Sequence, residues 1–430
     1  MKEKIIEMAL GQQEETVALR RDFHRHAEWG WTEFRTASIV AKFLEDLGYE
    51  VLVGEDAMTD SRMGVPGEEV LNLHIERAKA QGAVTKYLDK MKGGKTAVVG
   101  ILKTGRPGPV VGVRFDIDSN ELEESSDENH RPKKEGFTSI NVGAMHGCGH
   151  DGHTAMGISL AKVLAQVKEN LTGTIKLFFQ PAEEMVCGGQ PMVEKGLVDD
   201  VSTMLGIHLG FSDNGSGELI CGSEGFLYIH RFEVIFTGTS AHAGAVPEGV
   251  KSALLAASSA VLSLQGLRRH SKGASRILCR SLQGGVERAV LKFDTRGVSQ
   301  QTSAFMEEEA LRIVKATALL YDVNVEIIRV GAAVSAKSDA ELAALVKETA
   351  AETNMFTAIK EAEQQYFSED YSYFMERVQQ NGGKATHIML GANIAGDFHN
   401  GLFDFDESML SNGVALLALL VYKVVRGMSC

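Results

Sequence analysis

The chain has 430 residues, 44% hydrophobic and 23% charged, with a formal net charge of −13, which suits a soluble protein of two domains and excludes a fibre or a disordered tail. The acidic balance disfavours nucleic acid and anionic membranes as partners, although a local metal or arginine can still attract a small acidic molecule. Five cysteines, odd in number and scattered, argue against a disulfide framework. The opening Met1-Lys2-Glu3-Lys4-Ile5 lacks the apolar core of a secretory signal. The apolar run Val414 to Tyr422 is too short to cross a bilayer and predicts a buried helix. A cytoplasmic protein without membrane attachment is the expectation.

The segment up to Gly48 reads as helical, with Ile39, Val40, Phe43, Leu44 and Leu47 at helix spacing and Gly48 as the stop. From Gly54 to Gly94 the chain is polar and charge-rich. Within that stretch Val70, Leu71, Leu73, Ile75 and Ala78, then Tyr87, Leu88 and Met91, predict one or two amphipathic helices added to a core fold. Gly93-Gly94-Lys95-Thr96 is not a phosphate loop, because that motif needs glycine where Asp89 stands and a helix afterwards, whereas Ala97 to Leu102 reads as a strand. Further strands are predicted at Pro109–Phe115, Thr174–Phe179 and Thr203–Ile207, alternating with helices near Thr154–Val167 and Pro191–Lys195. This is the order of an α/β sheet.

Between Phe226 and Gly331 the pattern changes. A strand (Tyr228–Thr237), a helix (Lys251–Leu267), a hairpin (Arg276–Leu282 and Arg288–Arg296), a helix (Gln300–Tyr321) and a strand (Val323–Val330) give βαββαβ order, the ferredoxin-like split unit. The α/β pattern resumes afterwards, so the expected organisation is a discontinuous domain of residues 1–225 and 332–430 with an inserted domain of residues 226–331.

The densest chemistry lies in Met145-His146-Gly147-Cys148-Gly149-His150-Asp151-Gly152-His153, where one thiol, three imidazoles and a carboxylate fall within a glycine-framed run. Thiolate and imidazole suit zinc-like ions and carboxylate suits harder ions such as manganese, so the run reads as a metal site open to either. Phe178-Phe179-Gln180-Pro181-Ala182-Glu183-Glu184 puts two carboxylates just past a buried strand, where one can bind metal while its neighbour faces a water. By itself that pair is equally an acidic helix start. His208 ends a strand between glycines, and His399 lies in a loop before the final helix. Each alone would pass for a structural histidine. Cys187, close behind the glutamate pair, has no histidine base beside it in sequence, Cys279 reads as a packed strand residue, and Trp29 and Trp31 read as packing.

The order and spacing of these motifs match one family. With Arg20-Arg21-Asp22-Phe23-His24, Glu33-Phe34-Arg35-Thr36-Ala37, Thr104-Gly105-Arg106-Pro107-Gly108-Pro109 and Phe403-Asp404-Phe405-Asp406-Glu407, nearly the whole chain resembles the two-metal amidohydrolases and exopeptidases that include aminoacylase, carboxypeptidase G-type enzymes and plant auxin-conjugate hydrolases. The resemblance implies a mixed-sheet α/β catalytic domain with an inserted lid or dimerisation domain. It also implies two divalent metal ions in each copy of the chain, zinc or manganese, held by Cys148, His150, Glu184, His208 and His399 with Cys148 between them. Glu183 would be the general base, taking a proton from the attacking water and returning it to the leaving amine. Asp116 and Asp118 match a strand-end motif whose second carboxylate supports the metal shell. His242, in Gly238-Thr239-Ser240-Ala241-His242, looks like the family's histidine that reaches the active site of the partner chain and stabilises the oxyanion. Arg296 resembles a position associated with a substrate carboxylate, for which a guanidinium fork is well shaped.

Two features depart from the family pattern. Ala27 stands where relatives often carry proline before the glutamate. After Gln283 the run Gly284-Gly285-Val286-Glu287-Arg288 replaces a longer stretch that carries a substrate-holding amide in the family. The expected function is metal-dependent cleavage of the amide between an acyl or aminobenzoyl group and an amino acid such as glutamate. The rivals are an N-acyl-amino-acid amidohydrolase or dipeptidase of other specificity and a non-catalytic partner of such an enzyme. A histidine donated across an interface implies a dimer, either a homodimer of two copies or a heterodimer with a homologous chain.

Overall fold

A computed structural model describes residues 1–210, 215–242 and 244–427. The chain divides into two compact units, one of residues 1–225, 336–364 and 371–430, the other of residues 226–335 with 365–370.

The longer strands, in chain order, are β1 (Glu50–Val53), β2 (Val98–Lys103), β3 (Val110–Asp116), β4 (Thr174–Gln180), β5 (Thr203–Leu209), β6 (Glu218–Ser223), β7 (Tyr228–Thr237), β8 (Ser275–Gly284), β9 (Arg288–Gly297), β10 (Asn324–Ala333), β11 (Ala358–Glu363) and β12 (Lys384–Leu390). The first unit holds an eight-stranded mixed sheet in the order β1-β2-β4-β3-β5-β12-β6-β11. Its middle four strands, β4, β3, β5 and β12, are mutually parallel, so their carboxyl ends share one edge of the sheet. The flanking β2 and β6 run antiparallel to them.

The central strands form because their residues are apolar on both faces. β3, β4 and β5 are buried almost from end to end, the signature of parallel strands covered by helices on both sides. Helices His150–Gln166 and Met409–Val425 are buried along most of their length, and residues such as Val113, Phe115, Leu177, Phe179, Leu205, Ile207, Leu410 and Leu417 belong to one core. Gly157 is needed there: a Cβ would lie 2.6 Å from the Phe179 ring and 2.8 Å from that of Phe115. Among the described residues no helix is long and apolar enough to cross a membrane.

The second unit holds a four-stranded antiparallel sheet, β10-β7-β9-β8. Phe232, Val234, Phe236, Leu291 and Phe293 alternate onto one face and pack on Ala256, Ala257 and Ala260 of helix Ala253–Gln265 and on Met306, Ala310 and Val314 of helix Gln300–Leu320. A reciprocal cap between Ser299 and Thr302 starts the second helix. The split βαββαβ order is as the periodicity predicts.

The differences from the sequence reading have local causes. The helix expected from Thr154 begins at His150, because Gly149 takes a left-handed conformation (φ +86°) at its N-cap and turns the chain into the helix just after Cys148. In helix Glu68–Ala80, Leu71, Ile75 and Ala78 face inward as expected, but Val70 and Leu73 are exposed and His74 takes an inward position. Strands β1, β6, β11 and β12 carry too few alternating apolar residues to announce themselves. β11, Ala-Ile-Lys-Glu-Ala-Glu, is a half-exposed edge strand.

Candidate metal centre

The chemistry-bearing residues follow the carboxyl ends of the four parallel strands. β3 ends in Asp116 and is followed by Asp118, β4 by Pro181-Ala182-Glu183-Glu184, β5 carries His208 at its penultimate position, and His399 lies in the loop beyond β12. Cys148 and His150 come from the start of the helix that crosses from β3 to β4. This edge is where an open α/β sheet gathers ligands, since loops from adjacent strands must diverge around it. Two non-glycine residues here sit in the left-handed region, Ala182 (φ +53°) before Glu183 and His399 itself (φ +59°). That strain is held in place by neighbours: the His399 N–H donates to the Gly147 carbonyl at 2.9 Å, and the Ala182 N–H donates to the Glu33 carboxylate at 2.9 Å.

All five donors expected to hold metal come together. The Cys148 thiol lies 3.5 Å from Nε2 of His208, close to the ~3.6 Å that separates a sulfur and a nitrogen bound tetrahedrally to one zinc-sized ion. Nε2 of His150 lies 3.8 Å from Oε1 of Glu184 and 3.9 Å from Oε2 of Glu183. Nε2 of His399 lies 3.2 Å from Oε2 of Glu184. The ligand atoms fall into overlapping groups, Cys148–His150–His208 and Cys148–Glu184–His399, with Cys148 common to both.

The imidazoles are preset for a cation. Nδ1–H of His208 donates to the Leu209 carbonyl at 2.8 Å, and Nδ1–H of His150 faces the carbonyl and carboxylate oxygens of Asp118 at 3.0 and 3.3 Å. Each ring therefore turns an Nε2 lone pair toward the cluster. Nε2 of His150 is buried with no hydrogen-bond partner, an orphan that a cation would satisfy. Electrostatics agree. Burial opposes a charge on His150, yet Asp116, Asp118 and Glu184 carry its pKa up to about 10, so without a metal the site draws in a proton. Burial and the facing Glu184, Glu183 and Asp116 push the Cys148 thiol well above its ordinary value. A pocket that charges a buried histidine and suppresses a thiolate lacks positive charge. The donor set fits divalent cations on these grounds.

Around the donors stands a layer of supporting groups. Asp118 accepts the Glu184 N–H at 3.0 Å as well as facing His150. Asp116 accepts from His153 Nδ1 at 2.5 Å and from Arg114 at 2.6 Å. Burial would raise Asp116, but His150, His153 and Arg114 outweigh it and hold the carboxyl well below its usual range. His153, the last imidazole of the glycine-framed run, is committed elsewhere: its Nε2 accepts the Leu209 N–H at 2.9 Å. Glu33, which sequence reasoning assigned no role, is fully buried and binds the Thr96 hydroxyl at 2.7 Å besides the Ala182 N–H. Burial and Asp118 raise its pKa well above the ordinary value. Nothing in its sequence context separates it from any other glutamate at a helix start.

Other candidate residues behave as packing. Trp31 is fully buried and donates Nε1–H to Met63 at 2.9 Å, and Trp29 meets the His74 ring edge-on at 5.0 Å. Cys187 is buried and donates its thiol to the Met185 carbonyl. Within the second unit His242 is exposed on a turn, its Nδ1 accepting the N–H groups of Gly244 and Ala245 at 3.2 and 3.1 Å. Arg296 is no free surface arginine: its Nε lies 3.4 Å from buried Asp294, which Arg280 also approaches at 3.2 Å. The short turn after β8 spends its carbonyls on packing, Val286 accepting from Ala253 and Glu287 from Gly238, both at 2.8 Å.

A family model described as peptidase family M20/M25/M40 matches residues 112–423. The chain is 43% identical over 407 residues to one of the subunits of the p-aminobenzoyl-glutamate hydrolase of Escherichia coli strain K12, covering 93% of each. It is equally similar, 43% over 408 residues and 93% of each, to an indole-3-acetyl-aspartic acid hydrolase of Enterobacter agglomerans. The crystal structure of an aminobenzoyl-glutamate utilization protein from Klebsiella pneumoniae matches it with a TM-score of 0.83 at 36% identity, over 97% of this chain and 98% of that one.

Proposed function

The chain belongs to peptidase family M20/M25/M40 and is a hydrolase of amide bonds; we propose that it uses two divalent cations, zinc or manganese, to cleave the amide joining an aromatic acyl group to an acidic amino acid, with p-aminobenzoyl-glutamate as the foremost substrate. The observation that carries this reading is the convergence of Cys148, His150, Glu184, His208 and His399 on one edge of the sheet, with Glu183 beside them. The relatives named for p-aminobenzoyl-glutamate and indole-3-acetyl-aspartate support the substrate class, since both compounds join an aromatic acyl group to an acidic amino acid.

In this reading Cys148 is shared by both cations, His150 and His208 complete one position, and Glu184 and His399 the other. Bound there, the cations would polarise the scissile carbonyl and lower the pKa of water. Glu183, next to Glu184 but not needed as a ligand, accepts the proton of the attacking water and delivers it to the leaving amine. Arg296 faces the substrate carboxylate, exchanging part of its contact with Asp294 for it. His242, exposed on its turn, serves the active site of a partner chain, where it stabilises the developing oxyanion. The partner is a second copy or a homologous chain; the Escherichia coli relative is named as one of several subunits of its enzyme, which supports such pairing.

The test is hydrolysis of p-aminobenzoyl-glutamate, indole-3-acetyl-aspartate and simple N-acyl amino acids by chain loaded with zinc or manganese. Release of glutamate from the first, abolished by chelation and restored by metal, is the expected result. Glu183→Gln should keep its metal and lose ~10²–10⁴-fold in turnover. Unchanged turnover in that variant would remove Glu183 as the base. Faster cleavage of the indole conjugate would favour the second reading, which the equal identity of the two relatives keeps open. Native mass after gentle purification reads out the pairing.

A further inference from the structure

We infer that Arg20 is a positioning residue: its guanidinium ties the loop that carries His399 to the helix that carries His150, so the cation on the His399 side is held only while this bridge stands. The inference rests on the two-cation reading above and extends it to a residue that touches neither cation.

Arg20 lies on helix Gln13–Arg25 and is wholly buried. Each of its three nitrogens meets a different carboxylate. Nε lies 2.8 Å from Asp151, Nη2 lies 2.8 Å from Asp404, and Nη1 lies 3.1 Å from Glu407. Asp151 directly follows His150 at the start of its helix. Asp404 and Glu407 belong to the segment that runs on from His399. The guanidinium also lies over the Phe405 ring at 4.4 Å, a contact suited to its planar charge. Arg131 reinforces the loop side, reaching Asp404 at 2.5 Å and the Phe405 carbonyl at 2.6 Å, and Arg21 reaches Glu407 at 2.7 Å. Three guanidinium groups thus face three carboxylates, and a fork with donors in several directions is the side chain able to join two segments through one buried charge.

His399 needs such a tether. Cys148, His150 and His208 are buried at the edge of the sheet, whereas the His399 side chain is 55% exposed. Its loop is otherwise secured near the cluster by the bond from its own N–H to Gly147 and by the stacking of Phe398 on Phe403 at 5.1 Å. The ion pairs of Arg20 connect the two halves of the centre through side chains that are not themselves donors.

The experiment measures metal stoichiometry and affinity of the full chain by dialysis against cobalt(II) and elemental analysis, alongside the cobalt–thiolate absorption of Cys148. Wild type should hold two ions. Arg20→Met should keep one ion and the thiolate band and bind the second roughly tenfold or more weakly. Arg20→Lys should fall between, because an ammonium cannot reach all three carboxylates. Lys423→Met, which removes a buried ion pair with Glu352 away from the centre, should keep both ions despite its cost in stability. If Arg20→Met does not fold, Asp404→Asn cuts the loop side alone and should show the same selective loss. Wild type and Arg20→Met both holding two ions equally overturns this inference alone, as does joint loss of both ions with the thiolate band. Wild type holding fewer than two ions overturns the two-cation reading and this inference with it.

Discussion

Cys148, His150 and His208 stand on a strand end and a helix start inside the core, whereas His399 projects from a loop in a left-handed conformation and is half open to solvent. The contrast shows two ways of fixing a ligand. A buried donor inherits its position from the sheet, and its second ring nitrogen is locked by a backbone or carboxylate acceptor. A loop donor has no such frame and depends on charge pairs made by residues further along the chain.

Mutation can break this comparison directly. His208→Ala should abolish turnover and the cation held with Cys148 and His150, because it deletes a donor and leaves a void in a region that cannot collapse onto it. His399→Ala should remove only the other cation and leave the cobalt–thiolate band in place. If both variants lost the same ions, the two halves would form a single unit and the distinction would fail. Metal analysis with cobalt absorption decides it.

A smaller effect sharpens the account of the buried half. Asp118 accepts from both His150 and the Glu184 backbone, so it orients one ligand of each proposed position. Asp118→Asn keeps the shape but turns an amino group toward one of these donors. Cation affinity should fall ~10–100-fold, read by competition with a chelator. An unchanged affinity would mean that the helix and the strand end suffice to aim both ligands.

The smallest effect lies outside the centre and serves as its reference. Burial, with Arg77 nearby, lowers His74 from 6.5 to about 4. A histidine depressed in the folded state favours folding above the unfolded pKa, and that contribution is lost as pH falls from about 6.5 toward 4, because the unfolded chain takes up the proton first. With partial solvent screening the loss should be about 1–2 kcal/mol. His74→Gln should flatten the pH dependence of the denaturation midpoint in this window without altering metal content. A variant that keeps the full slope would assign it to other groups.

Much of the centre was legible in the order of residues. The glycine-framed run containing Cys148 and His150, the Glu183-Glu184 pair past a strand and the isolated His208 and His399 name the donors, because metal chemistry restricts which side chains can serve and strand ends are where they can converge. The inserted βαββαβ unit was equally legible, since its strands and helices alternate apolar residues with clear periods. Edge strands such as β11 were not, because a half-exposed strand has no continuous apolar face to display.

What the linear chain determined, then, is which chemistry is available and the sequence of elements that carries it, for these follow from side-chain type and local periodicity. Only the tertiary structure decided which histidines present a lone pair and which are spent on support, as His150 and His153 divide within one helical turn. It alone turned Glu33 into the anchor of the Ala182 backbone and joined Arg20 to Asp151, Asp404 and Glu407. The physical reason is range: a hydrogen bond or buried ion pair acts over a few ångströms between atoms whose distance along the chain carries no information about their distance in space.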